Sequence, residues 1–561
     1  MAKATPRILC KRLGIDVGGL VLLLGLITLP ATASAQALNS QELLKQAQSC
    51  EKNHDWREAC CLYDELLHRN RDDARIRQAY QRSLRHYRIV QRHQDKLYRT
   101  ALERLTPAQA LDLYVNVLET IDRVYTDRQK SSPSVLFAQG LEELRLAFAE
   151  PIFTRDYFPN VAPECLESLQ KKLSEWRHRK INDRSEAREQ VAAIGRTAQQ
   201  LCSIGKPILV TVIALEFLSG ACNALDEYTF FLTPGHYRDV QSALRGRLVS
   251  IGVDLEAIDE QLVIRRVYPG SPAEKADLKP HDRIVSIEGQ STLDLSVERA
   301  AELLRGRSGT IVKLEVVPFS SIYSESKLLE IKRAPVTVPS VEYELLDEPF
   351  EFVLEDGMKV IFPIGKLTIN YFQESTLQEV KDALTMLQAI GMKVLILDVR
   401  HNPGGLFRSA VEVAELFLPE GIIVVSQSHA FKDRKLSGTI RSEHPGALLL
   451  PMVVLIDGET ASAAEVLAGA LKDNGRAKLV GQTTFGKGTL QCVIPLDKPY
   501  FERMPAGIRI TVAKLLSPHW QPYSTRGIEP DFRSFDVNDI LIEARQALLQ
   551  ELRRSLQIMP E

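Results

Sequence analysis

From residue 40 to about residue 237, apolar residues recur every three to four positions with almost no alternating runs, which predicts a helical region. Within it, Asp55-Trp56, Glu58-Ala59, Leu62-Tyr63 and Leu66-Leu67, followed by Asp72-Asp73-Ala74, carry the rhythm of a tetratricopeptide helix pair near 41–85. Only one such unit is found, and repeat arrays need about three to stack a core. A local helical hairpin is therefore expected, with an adaptor-binding surface as the alternative. The period then changes. Residues 249–255 and 262–267 read as short strands, Pro269-Gly270-Ser271-Pro272 as a turn into a short helix, 283–288 as a strand, 296–304 as a second helix and 311–317 as a last strand. Beyond a connection containing Pro335 and Pro339, strands and helices alternate from near residue 353 past residue 513, the pattern of an α/β core.

The length of 561 residues exceeds what one hydrophobic core supports, about 250–300 residues. The pattern divides the chain into a leader (1–35), a helical region (36–245), a small β-rich module (246–318), an α/β core (319–535) and a C-terminal helix (536–561). The leader has a basic start (Lys3, Arg7, Lys11, Arg12), an apolar run over 17–29 and small residues at Ala33-Ser34-Ala35. It reads as a signal peptide cleaved after Ala35 or Ala37, because the apolar run falls short of the ~20 residues needed to span hydrocarbon. With 70 basic against 72 acidic residues, nothing in the charge calls for a nucleic-acid partner. Of the eight cysteines, Cys50, Cys60 and Cys61 are close enough in sequence to supply one disulfide, or serve equally as small buried apolar residues. No cysteine or histidine spacing suggests a metal site, and no cofactor is expected.

Two strand-to-helix junctions carry the chemistry. The apolar run 394–397 leads into Asp398-Val399-Arg400-His401-Asn402-Pro403-Gly404-Gly405, and the run 452–456 leads into Asp457-Gly458-Glu459-Thr460-Ala461-Ser462 and a helix. In α/β sheets such loops open on one crevice beyond the carboxyl ends of the strands. Ser462 with Glu465 fits a capping box. The same position suits a nucleophile, since a helix N-terminus offers N–H groups and positive potential to an oxyanion. Lys487, between Gly486 and Gly488, reads either as a solvated turn lysine or, if buried, as a base whose pKa has fallen toward 7–8. Gln491 stands where it could hold that amine. A Ser-His-Asp arrangement through His401 and Asp398 competes, although Asp398 and Arg400 suit a charge pair that pins the loop.

Thr460 to Glu465, Ala468-Gly469-Ala470-Leu471-Lys472-Asp473, Val480-Gly481, Phe485-Gly486-Lys487-Gly488 and Gln491 together resemble the carboxyl-terminal processing, or tail-specific, serine peptidases. Leu397-Asp398-Val399-Arg400 with Asn402-Pro403-Gly404-Gly405 is similar to their glycine loop, and Gly527-Ile528-Glu529-Pro530-Asp531 to their closing motif. The similarity runs from about residue 118 to 531 and includes Ala224-Leu225-Asp226-Glu227-Tyr228-Thr229. It implies a multidomain fold: an all-α N-terminal region, a PDZ domain and an α/β peptidase core of the crotonase-like spiral type. It also implies that Ser462 is the nucleophile, Lys487 its base and Gln491 the orienting group. The N–H of Ala463 with that of Gly404 or Gly405 would form the oxyanion hole, and Glu465 and Asp473 would support the site. Ser250-Ile251-Gly252-Val253 occupies the carboxylate-binding loop of the implied PDZ domain, where an added strand and a terminal carboxylate bind. Asp277 and His281 stand where family members often carry glycine, a departure that bears on groove shape.

The resemblance implies an exported, periplasmic or otherwise extracytoplasmic endopeptidase that uses neither ATP nor metal. Its expected partners are proteins or peptides with free carboxyl-terminal tails, and an adaptor or a second copy could engage the helical region. The rival readings are a PDZ and helical adaptor that uses the core as scaffold, which the intact Ser462 and Lys487 disfavour, and a crotonase-type acyl-CoA enzyme, which leaves the PDZ-like module unexplained.

Overall fold

A computed structural model describes residues 40–555 apart from 71–72, 178, 203–207, 259–260, 294, 296, 307, 320–324, 354–358, 429–437, 497–504, 525 and 535–536. The expected leader and its cleavage points lie outside the described residues. Helices Ser40–Lys52, Trp56–Arg69 and Ala74–Gln94 form the hairpin region, with a core of its own around Leu43, Trp56, Tyr63, Tyr80 and Leu84. Asp55 and Asp73 begin the second and third helices by accepting hydrogen bonds from their first-turn N–H groups.

Helices Pro107–Val124, Pro133–Phe148 and Arg184–Leu201 surround Ile208–Asn223, which is apolar on all sides and buried on all sides. Its one acid, Glu216, is fully buried and paired with Arg92 (2.6 Å) and His93 (3.0 Å) of Ala74–Gln94. Among the described residues, no helix is long and apolar enough to cross a membrane. The helical period breaks once, at Phe230–Leu232, a buried strand that pairs with Gly507–Leu516 of the core. The end of the helical region is thereby built into a sheet of the α/β core.

The main sheet runs in the order Val341–Leu345, Ile364–Ile369, Val394–Asp398, Met452–Ile456, Lys478–Gly481, Phe532–Arg533. All its pairings are parallel except the first. Along the two central strands, alternate side chains enter different cores. Leu395, Leu397, Val454 and Ile456 share one with Val413 and Leu467, from helices Phe407–Glu415 and Ala463–Asp473. Val394, Ile396, Val453 and Leu455 meet Ile540, Ala544 and Leu548 of the C-terminal helix Val537–Ser555. Burial on both faces explains the unbroken apolar runs in the sequence. Because the central strands are adjacent and parallel, the loops that follow them emerge at the same edge. A second sheet, antiparallel where its strands pair, includes Phe230–Leu232, Glu420–Gln427, Gly438–Glu443, Thr489–Pro495 and Gly507–Leu516.

The β-rich module has a separate core around Ile251, Ile264, Ile284, Val312 and Leu314. Its sheet continues past 318: Ile311–Val317 pairs with Lys327–Lys332, after which Ala334–Thr337 returns to pair with Arg247–Ser250. Both connections to the rest of the chain thus run side by side in a two-stranded ladder. The segment 249–255, expected as one strand, is instead Arg247–Ser250 and Val253–Ile258. The break falls at Gly252, whose φ of +87° suits glycine and where a Cβ would run into the Ser271 side chain. Asp277 and His281, where the resemblance led one to expect glycine, adopt φ of 58° and 72°, in the left-handed region. That conformation costs a residue with a Cβ about 1–2 kcal/mol each. The seven cysteines among the described residues are free thiols.

Candidate active site

Ser462 begins the helix Ala463–Asp473 in a backbone conformation rare for a residue with a side chain, φ 56° and ψ −115°. Such strain, about 1–3 kcal/mol, persists where surrounding contacts over-determine it and concentrates at functional sites. The contacts here are specific. Thr460 Oγ1 donates to the Val399 carbonyl (3.0 Å), Ala461 N–H to the Asn402 carbonyl (2.9 Å) and Phe485 N–H to the Thr460 carbonyl (2.9 Å). The glycine loop, the turn that carries Ser462 and the lysine loop are therefore knit together.

Glu465 is the joint between the Ser462 turn and the lysine loop. It is fully buried, and its carboxylate accepts from Ser462 N–H (2.8 Å), Thr484 Oγ1 (2.6 Å), Gly486 N–H (2.7 Å) and Lys487 N–H (2.8 Å). Burial pushes its pKa up, while the four hydrogen bonds oppose that rise. The reach of the carboxylate back to Ser462 N–H is the acid half of the expected capping box; its other bonds span to the lysine loop, which the local motif does not indicate.

Lys487 is 6% exposed, which removes the reading as a solvated turn lysine. Burial foremost, and then the positive charge of Arg509, hold its pKa well below the usual lysine range, against the pull of Glu465, Glu227 and Asp226. Its ammonium nitrogen lies 4.8 Å from the centre of the Tyr228 ring, and no hydrogen bond joins it to Ser462 Oγ among the described residues. Gln491, on Thr489–Pro495, donates to Thr489 Oγ1 (2.8 Å) and Thr511 Oγ1 (3.2 Å), and its carbonyl accepts from Arg509 Nη2 (3.3 Å).

At the glycine loop, a Cβ on Gly404 would lie 2.8 Å from Ser462 Cβ and 3.0 Å from Ala463 N, so only glycine permits this approach. Gly404 N–H is engaged by Asn402 Oδ1 (2.8 Å). The bridge between this loop and Phe372 uses the Gly404 carbonyl (2.8 Å) and the Leu406 N–H (2.7 Å), and Gly405 N–H takes no part in it. Ala463 is the first helical residue, where an N–H has no carbonyl one turn back. Asp473, at the far end of the same helix, accepts from Ser517 Oγ (2.6 Å) and His519 N–H (3.1 Å), away from Ser462.

Asp398 is bound through both oxygens by Arg400 (2.9 and 2.6 Å), the expected loop pin. His401 Nδ1 lies 2.7 Å from Asp457 and 3.2 Å from Glu459. Hydrogen bonds to these carboxylates outweigh its burial and push its pKa up to about 10, so near neutrality it is a held cation rather than a free base. Among the described residues, no cluster of three or more His, Cys, Asp or Glu side chains is arranged for a metal ion.

In the β-rich module, a groove of about 40 Å³ lies between Val253–Ile258 and the helix Val297–Leu304. Val253, Leu255, Val297, Ala301 and Leu304 line it, with Val336 from the returning ladder strand. In the loop at its end, Ser250 Oγ accepts from Gly252 N–H (3.2 Å).

Comparison with known proteins settles the family. Residues 363–534 match Peptidase family S41 and residues 263–318 match the PDZ domain. A carboxyl-terminal-processing protease from Synechocystis sp. is 36% identical over 310 residues, which span 55% of this chain and 67% of that protein. The chain belongs to peptidase family S41. The carboxy-terminal processing protease CtpA of Bacillus subtilis is 32% identical to this peptidase over 320 residues, 56% of this chain and 63% of that one. A solved photosystem II D1 C-terminal processing protease aligns over 79% of this chain and 96% of its own, at 23% identity and a TM-score of 0.39.

Tyr228, Thr484 and Arg509 around the site were not singled out as site residues from the sequence. Arg509 left a usable signal: the lone charge in the buried stretch 507–513 of its strand, which is otherwise apolar but for Thr511.

Proposed function

We propose that this S41 peptidase is an exported serine endopeptidase that cleaves carboxyl-terminal or unstructured segments of proteins by a Ser462–Lys487 mechanism. Neutral Lys487 takes the proton of Ser462 Oγ as the oxygen attacks the scissile carbonyl. The N–H groups of Ala463 and Gly405 donate to the developing oxyanion, since Gly404 N–H is already engaged. Lys487 returns the proton to the leaving amine as the C–N bond breaks, and then draws a proton from the water that hydrolyses the acyl-enzyme. The observation that carries this reading is the joint at Glu465, where one buried carboxylate binds the backbone of both the nucleophile and a lysine whose burial favours the free amine. Gln491 serves as the orienting group once its carbonyl turns to the amine, while Asp473 supports the strand behind the helix.

In this reading the PDZ groove admits substrate tails, with the amides of 250–253 taking the terminal carboxylate once Ser250 Oγ releases Gly252 N–H. Export follows from the basic and apolar leader, which assigns the mature enzyme to the periplasm or another extracytoplasmic space; the helical region offers the surface for an adaptor or a second copy.

The test is cleavage of an unstructured protein with an apolar carboxyl-terminal tail, in the presence of a chelator. Ser462→Ala and Lys487→Ala should each lower kcat by roughly 10³-fold or more while remaining folded. Turnover retained by folded Lys487→Ala would remove the lysine from the role of base.

A further inference from the structure

Arg509 is the unexplained charge of the core. It sits in Gly507–Leu516 directly opposite Phe230, with its guanidinium carbon 5.8 Å from the centre of that ring. It is 6% exposed and, among the described residues, forms no ion pair and makes a single side-chain hydrogen bond, from Nη2 to Gln491 Oε1 at 3.3 Å. Its Nη1 has no partner. A buried cation with no carboxylate is unfavourable for folding, and an apolar side chain in its place would suit the strand better. Its surroundings suggest why it is there. Phe230, under Arg509, and Tyr228, under the ammonium of Lys487, stand two residues apart in the chain. Gln491, which Arg509 holds, lies in the strand that follows the lysine loop.

We propose that Arg509 is a positioning residue of the Ser462–Lys487 site: it fixes the carboxamide of Gln491 and holds a positive charge beside the lysine loop. This rests on the Ser–Lys reading above. The groups facing Lys487 are Arg509 from its strand, Glu465 from the nucleophile helix, and Asp226, Glu227 and Tyr228 from the segment before Phe230. The three carboxylates and the Tyr228 ring favour the ammonium form. Arg509 is the cation that opposes them, and it adds to the effect of burial. Arg509 is itself faced by Arg88 of the helical region, by Asp226, and by Tyr228 and Tyr371. Burial lowers the guanidinium's pKa to about 10, so it keeps its proton through neutral pH, where the acid limb is read.

The experiment is the pH dependence of kcat/KM on an unstructured protein substrate, for wild type, Arg509→Lys and Arg509→Gln, with melting curves to establish folding. Activity should fall on the acid side as Lys487 protonates. In Arg509→Gln that limb should move up by about one pH unit, an activity loss of about tenfold below it that closes at alkaline pH. Arg509→Lys should keep the wild-type limb. Gln491→Glu, which gives the guanidinium a carboxylate and leaves the strand intact, should move the limb in the same direction as Arg509→Gln. A Lys487-dependent limb that coincides in wild type and folded Arg509→Gln, or a loss equal at every pH, overturns the inference alone. An acid limb that persists in an active Lys487→Ala enzyme sinks the Ser–Lys reading beneath it.

Discussion

The catalytic loops and the PDZ module solve opposite problems. Around Ser462, donors from two segments, the turn of Ser462 itself and the lysine loop 484–487, converge on Glu465, and each of its bonds has a specific donor. The module carries its own apolar core and is tied to the chain through the ladder of Arg247–Ser250 and Ala334–Thr337. The first arrangement ties the Ser462 turn and the lysine loop rigidly together through one carboxylate. The second leaves a groove edge and a half-buried helix face open to a ligand. Precision and adjustability are thus placed in different parts of one chain.

Substitutions can break or sharpen this contrast, and the largest effect belongs to the joint. Glu465→Ala strands four buried donors and should cost about 3–5 kcal/mol in chemical denaturation. A loss below about 1 kcal/mol would mean that the loops are held by something else. Next is Gly404→Ala, which puts a Cβ 2.8 Å from Ser462 Cβ at a φ of +103°. Backbone strain of about 1–3 kcal/mol should accompany a fall in kcat of about 10²-fold. A near-normal kcat would show that the glycine loop yields more readily than its contacts imply.

Lys487→Met separates stability from activity. The folded-state pKa of Lys487 is depressed, so between that value and the usual 10.5 the unfolded chain binds a proton that the folded protein does not. Stability is therefore reduced at lower pH and recovers as pH rises toward 10.5. The methionine variant should melt higher than wild type near pH 7, with a gain that shrinks as pH approaches 10.5, and should be inactive. An equal or lower melting temperature at pH 7 would show that the amine is not held neutral by the fold. The smallest effect belongs to the module. Ala301→Glu, which places a charge in the groove, should raise KM about three- to tenfold for substrates with a free terminal carboxylate. It should leave kcat and the melting temperature of the core unchanged; a fall in kcat would instead tie the groove to the chemistry.

Much of this architecture was legible in the sequence. The unbroken runs 394–397 and 452–456 announced strands buried on both faces, and the loops after them do converge. The helical period was equally clear up to Asn223, yet Phe230–Leu232 became a strand because Gly507–Leu516 supplies its partner ladder. One pairing strand hundreds of residues away leaves no trace in a local period. The stretch 249–255 was read as one strand, and its break at Gly252 left no local sign, since a Cβ there would meet the Ser271 side chain from another segment. At the site, Ser462, Lys487 and Gln491 were candidates by motif. The strained φ of Ser462, the burial of Lys487 and the engagement of Gln491 by Arg509 arise from contacts between distant segments.

By itself the sequence determined the order of the parts, the two buried strands with their loops, and which residue types stand ready for acyl transfer, because periodicity and short motifs are local properties of the chain. Only the tertiary structure decided that one buried carboxylate joins serine and lysine, that His401 is held as a cation by Asp457 and Glu459, and that an arginine without a counter-ion faces the site. Burial and electrostatic environment are set by segments far apart in sequence, and no local motif contains them.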